Sequence, residues 1–399
     1  MRCTVAEKRS ERRARKADLG WVPTEPTKQA LSQRSGKIFT AGDAVIAAIA
    51  VDALHQRGKV ERATHHFHTY PAGLHPDAAA LLLTIGSGDV LDPFCGGGTV
   101  LVEAMLAGRS ALGCDISPVA NVVARARTAL TTEEERTAMR VSARKAAEVA
   151  MRPPPIPDDV PDILREWYAP HVLAELCAIR ARMGDSPLVR AVFSSIAIKT
   201  SERESDTSNR RMSVVRPVGT AATLFHRRAR EYARQLEALA AAVPSGVRAR
   251  VHREDAREIR APGEFGTVLT SPPYPGVYDY VPMQQLRMEW LGLDPRDAPR
   301  AEIGSRRSFR ADRATASLAW REDTSEWVKS ATRALAPTGR LIVVIGDGTV
   351  GGKRIDSFTP VDEAARAHGL TFVARATVER WDEGQLTMRP EHAMIYERP

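Results

Sequence analysis

The residues with the clearest capacity for chemistry lie in the stretch TSPPYPGVYDY, residues 270–280. It follows a short, apolar and β-branched run, FGTVL, which is typical of a strand buried on both faces. The two prolines, Pro272 and Pro273, stiffen the chain and remove backbone donors, while their carbonyl groups remain acceptors. Open α/β sheets bind ligands at the carboxyl ends of their strands. We therefore expect a rigid ligand-binding loop in which Ser271 and Tyr274 add a hydroxyl group and an aromatic ring.

A second stretch, DPFCGGGT (92–99), places three glycines between a strand pattern and an amphipathic helix pattern. Glycines let a ligand approach the backbone, and a helix N-terminus favours polar or negatively charged groups. A dinucleotide fingerprint would need a glycine three residues after Gly98, where the chain has Leu101, and a phosphate-binding loop would need a lysine after the glycines. The stretch therefore predicts a cofactor site of another kind, and a glycine turn with only a packing role is the alternative.

Together, DPFCGGGT and SPPY resemble the motifs of the S-adenosylmethionine-dependent amino-methyltransferases of DNA. The resemblance covers most of the chain outside an N-terminal arm and an insertion. It implies an α/β fold, namely the Rossmann-like class I methyltransferase with a mostly parallel seven-stranded sheet and a helical insertion. It also implies S-adenosyl-L-methionine as cofactor and DNA as partner, with RNA less favoured and a restriction endonuclease or another defence-system protein as a further partner.

The resemblance assigns cofactor-binding roles residue by residue. Asp92 is expected near the ammonium group of the cofactor, and Asp115, at the end of the second strand, is expected to accept from both ribose hydroxyls. Asp255 ends the third strand and is expected to accept from the adenine amino group. A helix N-cap is the alternative for Asp115, and a surface acid is the alternative for Asp255. The expected cofactor-binding residues are Tyr70 and Pro71 of a closing segment, with Asp92, Phe94, Gly96, Gly98, Thr99, Asp115 and Asp255.

The SPPY residues, Ser271, Pro272, Pro273 and Tyr274, are the expected catalytic residues. An exocyclic base amine is a weak nucleophile because its lone pair is delocalised into the ring. If the Ser271 hydroxyl oxygen and the Pro272 carbonyl each accept one amine hydrogen, the nitrogen is drawn toward a tetrahedral geometry and its lone pair points at the methyl group. Tyr274 would stack on the base, which must be flipped out of the duplex.

The first residue of the SPPY motif bears on the target base. In the family, serine at this position usually accompanies cytosine N4 as target and aspartate usually accompanies adenine N6, so Ser271 favours cytosine N4. Adenine N6 in DNA, or a base in RNA, is the alternative within the same fold. The alternative from another class is a nucleic-acid-binding protein that kept a methyltransferase fold without catalysis, and the intact SPPY speaks against it.

The elements that must position these motifs follow from hydrophobic periodicity and turn residues. A strand, glycine loop, helix and strand succession over 89–116 forms a βαβ unit and predicts a parallel sheet. The chain then becomes rich in Ala, Arg and Glu, with helices expected near 134–150, 161–183, 186–198 and 219–242. We divide it into a basic, flexible arm (1–38), a cofactor half (39–130), a helical insertion (131–245) and a catalytic half (246–399). The insertion is a candidate target-recognition region, and a purely structural helical cover is the alternative.

The formal net charge is +8, and the excess is clustered in runs such as SNRRMSVVRP and FHRRAREYARQ. Such clusters favour a polyanionic partner through phosphate contacts, whereas a solvated helix face is the alternative. The candidate nucleic-acid contacts are Arg210, Arg211 and Arg216 of the insertion, with Tyr278 and Tyr280 just after the SPPY motif.

The cysteines and histidines give no metal pattern. The four cysteines form no CxxC pair, and the histidines at 65, 66 and 68 lack cysteine or acidic partners nearby in the sequence, so we expect no metal site. The basic N-terminus lacks an apolar signal region, and no apolar stretch is long enough to span a bilayer. We expect a cytoplasmic protein without a membrane partner.

Overall fold

The computed structural model describes residues 36–294, 302–381 and 388–399. The predicted arm therefore lies outside the described residues except for its end at 36–38. The strands are β1 (Ile38–Gly42), β2 (Val90–Asp92), β3 (Ala111–Cys114), β4 (Arg203–Ser205), β5 (Ser208–Arg211), β6 (Ala249–His252), β7 (Phe265–Thr270), β8 (Leu335–Gly346), β9 (Gly348–Val350), β10 (Lys353–Ile355), β11 (Thr371–Trp381) and β12 (Met388–Glu397).

Helices and strands both occur between residues 39 and 130, and helices dominate residues 131–245. They are α1 (Ala44–His55), α2 (Pro76–Leu83), α3 (Thr99–Leu106), α4 (Pro118–Arg127), α5 (Glu133–Ala150), α6 (Asp162–Trp167), α7 (Pro170–Arg182), α8 (Pro187–Thr200), α9 (Thr220–Ala242), α10 (Tyr280–Leu291), α11 (Arg306–Ala311), α12 (Arg313–Ala334) and α13 (Phe358–Ala367), with a 3-10 turn at Ala256–Glu258.

One sheet contains eight of these strands, in the order β6–β3–β2–β7–β8–β12–β11–β1. The pairs from β6 to β8 are parallel, and those from β8 to β1 are antiparallel. This arrangement confirms the predicted Rossmann-like class I methyltransferase fold. The sheet has one strand more than predicted because β1, which begins at the last residue of the predicted arm, pairs with β11 along the edge, where Ile38 lies opposite Val378.

Side chains of the central strands alternate between the two faces of the sheet. Val268 of β7 packs in a core with α12 and α13, whereas its neighbour Leu269 packs with α1, α2 and α3 on the other side. Val343 and Val344 of β8 divide in the same way. The sheet is therefore covered on both faces, which is why its strands read as continuous apolar runs in the sequence.

The helical insertion lies between β3 and β6 along the chain, and its helices form a separate hydrophobic core. Apolar residues of α5, α7, α8 and α9 form this core, which also includes Trp290 of α10. Glu175 of α7 is buried, and its carboxylate accepts hydrogen bonds from the backbone N–H groups of Gly219, Ala221 and Ala222. A carboxylate is stabilising at a helix N-terminus because the first N–H groups have no partner within the helix. This contact joins α9 to α7.

The helix predicted over 161–183 is interrupted in the structure, which has α6 and α7 instead. Pro170 is the first residue of α7, and a proline disfavours helical geometry in the residue before it. The polar stretch between α8 and α9, predicted as a loop, contains the two-stranded hairpin β4–β5. The other three predicted helices correspond to α5, α8 and α9.

The carboxyl ends of β2, β3, β6 and β7 meet at one edge of the sheet. Strand β2 lies between β3 and β7. The chain continues from β2 to β3 and β6 on one side, and β7 and β8 lie on the other side, so the strand order reverses at β2. Ligands of open α/β folds bind in the crevice at such a point. Among the described residues, no helix combines the length and the apolar composition needed to cross a membrane.

Candidate functional site

The glycine loop joins β2 to α3 and forms one wall of a cavity at this edge of the sheet. Gly96 and Gly98 have φ angles of +48° and +78°, in the left-handed region that glycine adopts readily. A Cβ atom at Gly96 would lie 3.1 Å from the ring of Tyr70. Phe94, Gly96 and Thr99 line the cavity, whereas Gly98 does not line it and lies against α4. Glycine is thus needed at both positions for the left-handed turn, and at Gly96 also because the Tyr70 ring lies close above the backbone.

Two buried carboxylates lie in the cavity wall. Asp92 accepts hydrogen bonds from the N–H group of Phe94 at 3.1 Å and from the hydroxyl of Thr270 at 2.7 Å. Asp115 accepts from two backbone N–H groups, at 2.9 Å and 2.8 Å. Burial raises the pKa of Asp92 to about 7 and that of Asp115 to about 6. Because a carboxylate can accept about four hydrogen bonds, both groups keep acceptor capacity for a ligand.

The alternative role of Asp115 as a helix cap is not what the structure shows, because Ser117 caps α4. Asp255 also lines the cavity, beside Glu254. Its carboxylate accepts from the guanidinium of Arg257 at 3.0 Å and 2.6 Å, and its side chain is 21% exposed. Asp255 is therefore a partly buried, ion-paired wall residue, and its contact with an adenine amino group remains a prediction.

The closing segment carries Tyr70 and Pro71 over the glycine loop, and both residues line the cavity. Arg127, at the end of α4, holds this segment. Its guanidinium donates to the carbonyl of Gly97 in the loop at 3.1 Å and to that of His65 before the segment, also at 3.1 Å. Burial lowers the pKa of Arg127 to about 10. Arg127, which is not among the predicted site residues, therefore links the closing segment to the glycine loop.

The cavity, counted together with the open solvent at its mouth, has a volume of about 1100 Å³. One face of α10 forms the opposite wall, where Tyr280, Val281, Gln284 and Met288 line it. The Gln284 Nε2 group is buried and, among the described residues, has no hydrogen-bond partner. Carboxylate acceptors, an unused donor, a glycine turn and apolar walls fit a nucleoside cofactor with an ammonium group. S-adenosyl-L-methionine is such a molecule.

A second cavity adjoins the first at the SPPY motif. Ser271 lines both cavities, Pro273 lines the first, and Pro272 and Tyr274 line the second. The hydroxyl of Tyr274 donates to Oε1 of Glu391 at 2.7 Å, and burial, with this carboxylate, raises the pKa of Tyr274. The phenol is therefore neutral and held in one orientation. The four motif residues thus lie together at the junction between the cavities.

The two predicted tyrosines also line the second cavity. The rings of Tyr278 and Tyr280 have centroids 5.6 Å apart and are inclined by 54°. Tyr280 additionally lines the first cavity, because it begins α10. Both side chains can contact a planar group next to Ser271, and their contact with nucleic acid remains a prediction.

The three predicted arginines lie on or just after the β4–β5 hairpin and line neither cavity. Arg210 is 3.8 Å from Glu204, and Arg211 is 2.6 Å from Glu202. Arg216 donates to two backbone carbonyl groups at 3.0 Å and 2.7 Å. The last two guanidinium groups therefore hold the local structure in addition to carrying charge. Phosphate contact remains a prediction for all three.

The sequence interpretation missed several residues that line the cavities, namely Gln284, Glu302, Arg389 and Glu391. The spacing of positions 280, 284 and 288 is that of one helix face and could have identified Gln284. Glu391 lies on β12, 117 residues after the tyrosine that it contacts. No local pattern connects two positions so far apart.

Within the described ranges, no group of three or more His, Cys, Asp or Glu side chains could hold a metal ion. His65 Nε2 lies 2.5 Å from Oε1 of Glu103, a partner that the sequence spacing does not reveal. His68 Nε2 lies 2.9 Å from the hydroxyl of Ser194. These two histidines therefore have partners in the protein interior.

No family model and no curated protein matches the sequence. Among solved structures, the chain is similar to TrmN from Thermus thermophilus (12% identity, TM-score 0.32, 81% of this chain) and spans about half, 49%, of that protein. It is also similar to a SAM-dependent methyltransferase from Methanosarcina mazei (10% identity, TM-score 0.31, 78% of this chain and 92% of that one). A third is the rRNA methyltransferase aviRa from Streptomyces viridochromogenes (13% identity, TM-score 0.36, 83% and 88%). These similarities are too distant to indicate a substrate.

Proposed function

We propose that this protein is an S-adenosylmethionine-dependent methyltransferase that modifies an exocyclic base amine in DNA, with cytosine N4 as the favoured target. The observation that carries the proposal is the position of Ser271 in the wall of both cavities. A methyl donor in the first cavity and a base in the second would meet at this residue.

When bound, S-adenosylmethionine supplies a methyl carbon that its sulfonium sulfur makes electrophilic. The residues of the chain hold and orient the other reactant. The Ser271 hydroxyl oxygen and the Pro272 carbonyl each accept one amine hydrogen, so the nitrogen lone pair turns out of the ring plane toward the first cavity. Because Pro272 and Pro273 restrict the loop before the substrate binds, little reorganisation is needed during the reaction.

The second cavity supports a planar substrate. Tyr274 is held by Glu391 and can present its ring to a base, and stacking of a base on an aromatic side chain contributes about 1–3 kcal/mol. A base inside a duplex cannot reach Ser271, so it must be extruded. Serine at the first motif position favours cytosine N4. Adenine N6 and a base in RNA are the alternatives.

Mass spectrometry of the reaction products tests the proposal directly. The purified full chain is incubated with methyl-labelled S-adenosylmethionine and either mixed-sequence duplex DNA or structured RNA, and the nucleosides are then identified. We expect labelled N4-methylcytosine in DNA. Labelled N6-methyladenine or a labelled ribonucleoside would show that the substrate is adenine or RNA instead. The absence of any labelled nucleoside from both polymers would contradict the proposed activity. Cofactor binding, measured by calorimetry, shows whether the protein used is intact.

A further inference from the structure

An exposed apolar segment follows the β4–β5 hairpin. We call residues 212–218, with the sequence MSVVRPV, the apolar segment. Met212, Val214, Val215 and Val218 are all exposed, and Val215 has 96% of its surface open to solvent. Isolated exposed apolar residues are ordinary, but four in one short segment indicate an interaction surface.

The β4–β5 hairpin, which precedes the apolar segment, contacts α10, and α10 forms a wall of the first cavity. Arg203 of β4 donates to the carbonyl of Met283 in α10 at 2.9 Å, and Asp206 at the hairpin turn forms a buried ion pair with Arg287 of the same helix. The segment begins at this hairpin, where the N–H of Met212 donates to the carbonyl of Glu202 at 2.7 Å. Since a helix with its side chains is about 10–12 Å wide, the hairpin lies roughly one helix width from the cavity.

The charge around the apolar segment indicates the chemistry of its partner. Arg210 and Arg211 precede the segment, where they lie near Glu204 and Glu202, and Arg216 lies within it. Arg216 donates to carbonyl groups, which carry no net charge, so its positive charge is not neutralised by those contacts. Apolar side chains flanked by cations suit a partner that presents phosphates around an apolar interior, which describes stacked bases between two DNA backbones.

We propose that the apolar segment enters duplex DNA next to the target base and occupies the space that the base leaves when it is extruded. This inference rests on the proposed function, because a methyl acceptor in the second cavity must first leave the base stack. Extrusion costs unstacking and unpairing, and the cost is lower for a mismatched or single-stranded base. An inserted valine would offset part of that cost by covering the apolar faces of the neighbouring bases.

The test compares the double variant Val214→Ser/Val215→Ser with the control variant Val45→Ser. Val45 lies on α1, away from the apolar segment in the sequence, and is 72% exposed. Single-turnover methyl transfer is measured on a matched duplex, on the same duplex with the target base mismatched, and on the single strand. We expect the double variant to be about tenfold slower on the matched duplex and less than about twofold slower on the other two substrates. The control variant should behave as the unmodified chain on all three.

Fluorescence of 2-aminopurine at the target position reports extrusion without catalysis. The unmodified chain should increase this fluorescence on a matched duplex, and the double variant should do so much less. A variant that is equally slow on all three substrates, or unimpaired on the matched duplex, would overturn the inference. If the unmodified chain transfers no methyl group to any of the substrates, the proposed function fails instead, which is a distinct result.

Discussion

The first cavity and the β4–β5 hairpin both concentrate charge, but the charges are buried in the cavity and exposed on the hairpin. In the cavity, Asp92 and Asp115 are buried, and burial raises the pKa of each. On the hairpin, Arg210 and Arg211 are 77% and 56% exposed and lie near carboxylates. Electrostatic interactions are strong where water is excluded and are screened at the surface. Single substitutions should therefore have large effects at the cavities and small ones on the hairpin.

The largest effect is expected for Ser271→Ala, where both cavities meet. Loss of one oriented polar contact to the reacting group should lower the rate of methyl transfer about a hundredfold. Cofactor affinity should change less than twofold, because Ser271 positions the amine. Single-turnover kinetics and calorimetry measure the two quantities, and Ser205→Ala on the exposed hairpin is the control. An unchanged rate would remove Ser271 from the mechanism.

A smaller effect is expected for Asp115→Asn, which keeps the size of the side chain but removes its charge. Hydrogen bonds to a charged group contribute about 1.5–3 kcal/mol, so cofactor affinity should fall about ten- to a hundredfold. DNA affinity should change little. Calorimetric titration with the cofactor checks the first expectation, and Asp52→Asn at an exposed position of α1 provides a matched control. A larger loss of DNA affinity than of cofactor affinity would contradict the ribose assignment.

A third prediction concerns pH and the two buried carboxylates. Since the pKa of Asp115 is raised to about 6 and that of Asp92 to about 7, both groups lose their protons near neutral pH. A ligand with an ammonium group and hydroxyl donors favours the ionised forms, so cofactor affinity should rise from about pH 5 to about pH 8, most steeply near pH 6–7.

The same groups should change stability in the opposite direction. Without ligand, a carboxyl whose folded pKa is raised binds its proton more tightly in the folded state, so the free energy of unfolding should fall as pH rises from about 4 to about 7. Denaturant unfolding and calorimetry across this range test both trends. A flat affinity profile, or one that Asp115→Asn leaves unchanged, would show that these carboxylates do not hold the ligand.

The smallest effect is expected for Arg210→Ala/Arg211→Ala. Each lost phosphate contact should reduce the slope of log affinity against log salt concentration by about 1, with only a few-fold loss of DNA affinity. Fluorescence anisotropy at several salt concentrations measures this slope. The control is Arg144→Ala, which removes an exposed arginine beside Glu148 on α5. A loss as large as that for Ser271→Ala would contradict the contrast between buried and exposed charge.

Much of the fold and the core of the site could be predicted because they depend on local patterns. The apolar runs before Asp92 and Ser271 predict buried strands, and the glycines predict the tight turn where φ is positive at Gly96. The break before Pro170 was missed, although proline chemistry provides a local reason for it. The edge strand β1 was missed because its pairing with β11 joins residues far apart in the chain.

Other parts of the site depend on contacts that no local pattern reveals. Arg127 reaches the carbonyls of both Gly97 and His65, and Glu391 meets Tyr274 only because β12 lies beside β8 in the sheet. Arg216 is predicted to contact phosphate, and the structure adds two backbone carbonyl contacts that the sequence does not reveal. A sequence shows that a side chain is charged, but not which acceptor it will meet.

Backbone sterics and hydrophobic periodicity act over neighbouring residues, so local patterns predict the strand, glycine loop, helix and strand succession and the proline-stiffened motif. Three features follow from the packing of distant segments: two cavities share Ser271, burial raises the pKa values of two carboxylates to near neutral pH, and the β4–β5 hairpin contacts α10. Burial and proximity arise when distant segments pack together, and packing is a property of the whole chain.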